Sequence, residues 1–171
     1  VTQDITVELD ANGEASITAG DIDNGSTENC GIATRSLDVT DFDCNDVGMN
    51  TVVLTVTDVN GNVTTASATV TVEDNLAPTV VTQDITVALD ANGEASITLN
   101  DIDAGSTDNC GIATRSLDVT EFDCNDVGQN TVVLTVTDIN GNVTTASATV
   151  TVEDNLAPIV VTQDVTVQLD A

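Results

Sequence analysis

Residues 1–80 recur almost letter for letter as residues 81–160, and residues 161–171 open the same unit again, VTQDVTVQLDA against VTQDITVELDA. Nine of 80 positions change: Glu8/Ala88, Ala19/Leu99, Gly20/Asn100, Asn24/Ala104, Glu28/Asp108, Asp41/Glu121, Met49/Gln129, Val59/Ile139 and Thr79/Ile159. A period kept without insertion or deletion means one structural unit copied head to tail, so the same residues must solve every junction. The expected division is a first repeat at 1–77, a second at 78–157 and the start of a third at 158–171, a window onto a longer array. Function is then expected from the array, as reach, stiffness and multivalency, before any single pocket.

Charge excludes whole classes of partner. Asp and Glu number 29 against two basic residues, Arg35 and Arg115, with no Lys, His, Trp or Tyr, for a net charge of −27. Such a chain repels nucleic acid and anionic lipid, so neither nucleic-acid binding nor membrane insertion is expected. The charge does not signal disorder, because Val, Ile, Leu and Ala fall in alternating runs that can bury a core. With Phe42 and Phe122 as its aromatics, that core is thin and aliphatic, and a small domain of this kind benefits from extra cross-links.

The apolar period is two. Ile5, Val7 and Leu9 alternate with Thr6 and Glu8, Val52, Leu54 and Val56 with Val53, Thr55 and Thr57, and Ala66, Ala68, Val70 and Val72 with Ser67, Thr69 and Thr71. Each run is a half-buried strand. Turn signals separate them at 10–14, 23–31, 44–48 and 58–62, where Asn60-Gly61 predicts a hairpin joining the last two strands. No segment carries a 3.6-residue stripe. About seven short antiparallel strands per repeat predict an all-β fold of tandem immunoglobulin-like β-sandwiches.

Cysteine adds a cross-link. Each repeat holds one pair, Cys30 and Cys44, then Cys110 and Cys124. An even pair within a loop-rich module predicts bonds Cys30–Cys44 and Cys110–Cys124, worth on the order of 3 kcal/mol each for a closed loop of about 15 residues. The competing reading is buried free thiols in a reducing compartment. A CxxC spacing is missing, and without His a mixed Cys/His zinc site cannot form within the chain.

Three stretches together carry a family resemblance: ENCG at 28–31 with DNCG at 108–111, the GxNTVVLTVTDxNGNV segment at 48–63 and 128–143, and the closing VTVEDNLAP at 70–78 and 150–158. They resemble the hyalin-repeat (HYR) family of immunoglobulin-like modules, especially the long tandem versions in giant surface adhesins of gliding bacteria, the SprB type. The resemblance spans the whole period. It implies an extracellular stalk or filament at a cell surface, whose partners are neighbouring repeats and, through a distal domain, surface glycans or another substratum. Many such repeats carry a further Cys in the final strand, where this chain has Ala66 and Ala146.

Oxygen-bearing residues cluster at the strand ends. Asp21 and Asp23 form a DxD, repeated as Asp101 and Asp103. Asp58, Asn60 and Asn62 form a DxNxN, repeated from Asp138 and Asn140. Glu73, Asp74 and Asn75 lie at the exit before Ala77-Pro78, and Glu153 and Asp154 repeat them. All-oxygen sets suit Ca²⁺, which takes six to eight such ligands, and suit softer metals poorly. An up-and-down strand order brings the exit of the first copy to the upper loops of the second. Glu73, Asp74 and Asn75 are therefore expected to share an ion with Asp101, Asp103 or Asp138, as the similar-looking DNAP linkers of cadherins do. The competing reading makes these ordinary solvated turn residues. An EF-hand is rejected, since the rest of its loop is missing. Asn24, Asn62 and Asn142 each open an N-x-S/T sequon, informative only in a glycosylating source.

Catalysis finds no parts: no His for a triad, no Lys for a Schiff base, no phosphate-binding loop. Two non-catalytic classes remain. One is a structural stalk or force-bearing cable; the other is a direct carbohydrate- or ice-binding module using the Thr rows of the outer faces. Threonine on a strand is first of all a β-former, which favours the stalk. The short VEDNLAP connection, with Pro78 fixing φ and holding Ala77 extended, predicts a stiff junction.

Overall fold

The structure is a computed structural model and describes residues 1–169. Asp170 and Ala171, the far end of the expected third repeat, lie outside the described residues; residues 158–169 form no regular element.

Each copy is built from six strands rather than seven. In the first they are β1 (Ile5–Glu8), β2 (Glu14–Ser16), β3 (Ile32–Leu37), β4 (Asp41–Asp43), β5 (Gly48–Asp58) and β6 (Val63–Glu73). The second copy repeats them as β7 (Ile85–Ala88), β8 (Glu94–Ser96), β9 (Ile112–Leu117), β10 (Glu121–Asp123), β11 (Gly128–Asp138) and β12 (Val143–Glu153). The main sheet has the order β1-β6-β5-β3, and β2 pairs with β4 in a second, two-stranded sheet. The two sheets close a β-sandwich over one aliphatic core.

The β5–β6 hairpin is the longest element, and its sequence explains it. Thr and Val dominate both strands and fit a pleated, half-buried surface. Asp58 folds the turn between them: its Oδ1 accepts the N–H groups of Asn60 and Asn62, both at 2.8 Å, and its Oδ2 accepts the Asn62 side-chain amide at 2.7 Å. Gly61 completes the turn at φ +91°, a conformation that glycine adopts without steric cost. From there the ladder runs in unbroken register from Thr57↔Val63 to Gly48↔Val72.

Strand β1 departs from the antiparallel expectation. It lies parallel to β6, Ile5 opposite Val70 and Glu8 opposite Glu73, because the chain crosses between the sheets before pairing. The helical signal missing from the sequence reading is local: α1 (Ala19–Ile22) and α2 (Leu99–Ile102) are single turns, opened by capping boxes between Thr18 and Asp21 and between Thr98 and Asp101. Their Ile22 and Ile102 are fully buried and close one edge of each core.

The alternation holds over the middle of β5 and fails towards the turn. Val52 and Leu54 are buried and Val53, Thr55 and Thr57 on the other face are half-exposed, but Val56, expected with the buried set, is half-exposed too, and Ala66 opposite Leu54 on β6 is exposed. Core partners are Leu9, Ile17, Phe42, Ala68, Val70 and Val72. The second copy packs the corresponding set around Phe122, Val132 and Leu134.

Two outcomes test this arrangement. Leu54→Ala removes a side chain that is 1% exposed and is expected to cost about 2–5 kcal/mol in denaturant unfolding, while Thr55→Ala is nearly silent; equal costs would refute the register. The second test uses Asp58, whose carboxyl is held below its ordinary 3.8 by the Asn62 side-chain amide first, and then by the backbone N–H groups of Asn62, Asn60 and Gly61 against the opposing pull of desolvation. A carboxylate with a depressed folded pKa contributes stability that is present above the unfolded value and lost as pH falls through the folded one. The melting-temperature gap between the parent and Asp58→Asn should therefore be constant above pH 3.8 and close below it. A gap that persists in strong acid would show that the carboxylate charge is not what holds the turn.

Candidate metal centre

Both ends of the long hairpin carry an aspartate: Asp58 or Asp138 at the turn, and Asp74 or Asp154 directly after the last strand. At the junction the exit of the first copy meets the turn of the second. Carboxylate oxygens of Asp74, Asp108 and Asp138 lie within 4.8 Å of one another. Asp74 is 6% and Asp138 1% exposed, and Asp108 is half-buried.

The hydrogen bonds around these groups are one-sided. Asp74 Oδ1 accepts the Leu76 N–H and the Asn109 side-chain amide, each at 3.2 Å. Asp108 Oδ2 accepts the N–H groups of Cys110 and Gly111, each at 2.9 Å. The second oxygen of each has no partner: Asp74 Oδ2 and Asp108 Oδ1 are buried and unpaired, together with Asn109 Oδ1 and Asn140 Oδ1. Among the described residues these four are the buried side-chain oxygens without a hydrogen bond, and all belong to this junction. Asp138 is held by its own turn through Asn140 N–H, Asn142 N–H and the Asn142 amide at 2.8–2.9 Å.

Buried acceptors without donors cost free energy, and carboxylates this close repel by about 4 kcal/mol per pair at an effective dielectric of 20. A hard divalent cation answers both terms at once. The three carboxylates fit Ca²⁺ in type; bidentate binding, neighbouring amide or carbonyl oxygens and water would have to bring the set to the six to eight oxygens it takes. The residues present fit that ion.

The structure places the other expected ligands elsewhere. Asp21 and Asp101 cap helical turns, each accepting the N–H and Oγ1 of Thr18 or Thr98 at 2.7 Å. Asp23 and Asp103 accept from Ser26 and Ser106 and form ion pairs with Arg35 and Arg115. Both basic side chains of the chain are thus spent on the second aspartate of the DxD. Asn60 is exposed beyond the Asp58 turn. Glu73 and Asn75 bond each other at 3.2 Å on the surface, as Glu153 does with Asn155 at 3.1 Å, and Asp154 is exposed. Of the expected set, the cluster gathers Asp74 and Asp138; Asn140, in the Asp138 turn, keeps a buried unpaired Oδ1. The junction adds Asp108 and Asn109, two residues before and one before Cys110, which sequence reasoning assigned only to a turn.

Cysteine pairing is a correction. Cys44 bonds Cys110, 66 positions away and in the other copy, while Cys30 and Cys124 are free and exposed. The expected Cys30–Cys44 and Cys110–Cys124 bonds do not form, because the members of each pair sit at opposite ends of one sandwich. The Gly31 carbonyl accepts the Val59 N–H at 3.1 Å, which ties Cys30 to the turn end of β5, whereas Cys44 precedes the opposite end of that 11-residue strand, on the order of 30 Å away. The upper loop of the second copy comes down instead. Asn109 O and Gly13 O both lie within 3.8 Å of Cys44 Sγ. Gly13, at φ +76°, leaves room for this approach, since a Cβ there would stand 2.6 Å from the sulfur. Asn142 adds side-chain amide bonds to Asp74 O at 2.9 Å and Leu76 O at 3.2 Å.

No family model matches the chain, and no curated protein matches it in sequence. Among solved structures it is similar to a fragment of protocadherin gamma B7, extracellular cadherin domains 1–4, at 12% identity over 91% of this chain and 50% of that one, with a TM-score of 0.40. This chain thus spans half the length of that fragment. It is also similar to the fibronectin(III)-like modules of Clostridium thermocellum CbhA, at 12% identity over 95% and 96% of the two chains with a TM-score of 0.35. A third likeness is to human mucin-like protocadherin EC1-2, at 17% identity over 89% and 96%, TM-score 0.40. At these identities and scores the likenesses add nothing to the case for the site, which rests on its own geometry. Among the described residues, no helix is long and apolar enough to cross a membrane.

If the junction holds Ca²⁺, about 10 mM of the ion at an affinity of 10⁻⁴–10⁻³ M stabilises the folded state by about 1.4–2.7 kcal/mol. The expected result is a calcium-dependent rise in melting temperature in the parent and in Asp58→Asn, and no rise in Asp138→Asn. A rise that survives Asp138→Asn would move the ion elsewhere.

Proposed function

We propose that this chain is a non-catalytic segment of a tandem-repeat stalk in a secreted cell-surface adhesin of the hyalin-repeat kind, the SprB type found on gliding bacteria, and that its work is reach, stiffness and force transmission. Its partners are neighbouring repeats of the same chain; the substratum is engaged by a distal domain. Calcium at the junction locks one repeat to the next.

The observation that carries this reading is the position of the Cys44–Cys110 bond. The bonded Cys44 and Cys110 pack against the core of the first copy. Their bond also changes how tension travels. Load entering at residue 1 reaches Cys44, crosses the sulfur bridge and continues from Cys110, so β5, β6, β7, β8 and α2 lie outside the load path. A binding module has no use for such a bypass, whereas a tether gains resistance to extension. An oxidising, extracellular setting is where a bond of this kind persists, and the strongly acidic surface keeps a long polymer soluble.

Single-molecule stretching from end to end decides the point. In oxidising buffer the loop between the two cysteines stays hidden. Added reductant is expected to lengthen the fully unfolded chain by about 230 Å, the reach of 66 residues at about 3.5 Å each. Equal contour lengths with and without reductant would show that the bond does not bear load.

A further inference from the structure

Asp108 is tied to the sulfur bridge through the backbone. Its Oδ2 accepts the N–H groups of Cys110 and Gly111, each at 2.9 Å, while its Oδ1 is buried and unpaired. The carboxylate therefore moves with Cys110. Asn109, between them, holds a buried unpaired Oδ1 and a carbonyl 3.7 Å from Cys44 Sγ.

Without sulfur, little fastens this loop to the first copy. The Asn109 amide donates to Asp74 Oδ1 at 3.2 Å and to Asp10 O at 3.3 Å, both at or beyond the long end of the N–H···O range. Asp138 reaches the first copy by a separate route. The Asn142 amide that binds its Oδ2 at 2.8 Å also donates to Asp74 O at 2.9 Å and to Leu76 O at 3.2 Å. Of the three clustered carboxylates, two are thus held together independently of the Cys44–Cys110 bond, and the third depends on it. Like charge drives Asp108 away from Asp74 and Asp138, and a closed bridge keeps it beside them before any ion arrives, which is preorganisation. That Asp74, 6% exposed, keeps an oxygen with no donor marks the place where a cation is wanted.

We propose that the Cys44–Cys110 bridge is a redox switch on calcium affinity at the junction: closed, it presents three carboxylates to the ion; opened, it releases Asp108 and leaves two. The proposal rests on the reading of this cluster as a calcium site. Opening is exchange with a dithiol. One dithiol thiolate attacks a bridge sulfur and expels the other cysteine as thiolate; the second dithiol thiolate then attacks the mixed disulfide, releasing the remaining cysteine as the dithiol closes to a cyclic disulfide. The bridge gains two electrons, the dithiol loses two, and two protons pass to Cys44 and Cys110. Because ion and bridge act on one loop, the coupling is reciprocal: the factor by which the bridge raises calcium affinity is the factor by which calcium resists its reduction.

The 171-residue chain is titrated with calcium by calorimetry, bridged and after dithiothreitol treatment. Affinity is expected to fall about tenfold on opening, within the usual range of such couplings. Non-reduced peptide mapping across dithiothreitol redox buffers then follows this bond alone. Saturating calcium lowers its midpoint potential by about 30 mV, the same factor of ten for a two-electron couple, and leaves the midpoint unmoved in Asp138→Asn. A second pair of variants keeps the bridge closed, and so answers even if the opened chain unfolds. Gly13→Ala places a Cβ 3.1 Å from Asn109 O and 2.6 Å from Cys44 Sγ, and weakens calcium binding several-fold. Gly93→Ala, at φ +81° against +76°, meets Cys124 Sγ but no atom of the junction, and leaves affinity unchanged. Equal affinity in the two redox forms, a midpoint indifferent to calcium, a shift that survives Asp138→Asn, or equal effects of the two alanines each overturns the switch while leaving calcium at the junction. No calcium binding to the bridged chain removes site and switch together.

Discussion

The ladder of β5 and β6 runs 11 residues on each side, and the junction hangs from its two ends. The turn end carries Asp58 or Asp138, fixed by its own turn, and the open end releases Asp74 or Asp154 one residue after pairing stops. Because the ladder is continuous and its register is pinned by a buried Val/Leu/Ala face, the distance between these two aspartates is set by strand length. Each copy thereby presents one half of the acidic cluster at either end. Head-to-tail stacking brings unlike halves together, and a period without insertions keeps the halves matched.

Much of this was legible in the residues. Period-two alternation on β5 and β6 predicts the buried face, Asn60-Gly61 predicts the hairpin, and an up-and-down order brings Asp74 towards Asp138. The DxD pairs were harder to read, since Thr18-x-x-Asp21 is equally a capping box and Asp23 is taken by Arg35, a partner 12 positions on that only the fold supplies. Asp108 and Asn109 carry no signal of their own: in sequence they are turn residues before a cysteine, and they become ligand candidates when another copy's exit is placed beside them. An even cysteine pair within each repeat points to a bond inside it, but the length of a sandwich keeps Cys30 and Cys44 apart. A bond from one copy to the next is reproduced by translation as faithfully as a bond within a copy, so periodicity alone does not choose between them.

Electrostatics gives the junction its character. A chain of net charge −27 has every reason to keep its carboxylates apart and wet, and most of them are. Those in turns are satisfied locally: backbone N–H groups, Thr and Ser hydroxyls, Asn amides and, for Asp23, Arg35 serve Asp10, Asp21, Asp23 and Asp58, whose carboxyls lie below the ordinary range as a result. At the junction this economy stops. Asp74 and Asp108 each have one oxygen satisfied and one left bare, in a place where the donors that serve turns elsewhere are already committed.

The bridge and the cation site share a segment. Asn109 and Cys110 are neighbours: Asn109 has a buried unpaired Oδ1, an amide that donates to Asp74 Oδ1 and a carbonyl 3.7 Å from Cys44 Sγ, and Cys110 forms the bond itself. Anything that fixes the 108–110 loop against the first copy therefore favours both, and an ion bound at the cluster would be linked to the bridge: a closed bridge would lower the ordering cost of binding, and a bound ion would hold the sulfurs in reach. If the bridge recurred at successive junctions, the shortest covalent route through a copy would run from Cys110 to Cys124, 14 positions in a unit of 80. The rest of the sandwich would lie off that route, as the rigid frame that keeps each pair of cysteines and the two halves of each acidic cluster at a fixed separation.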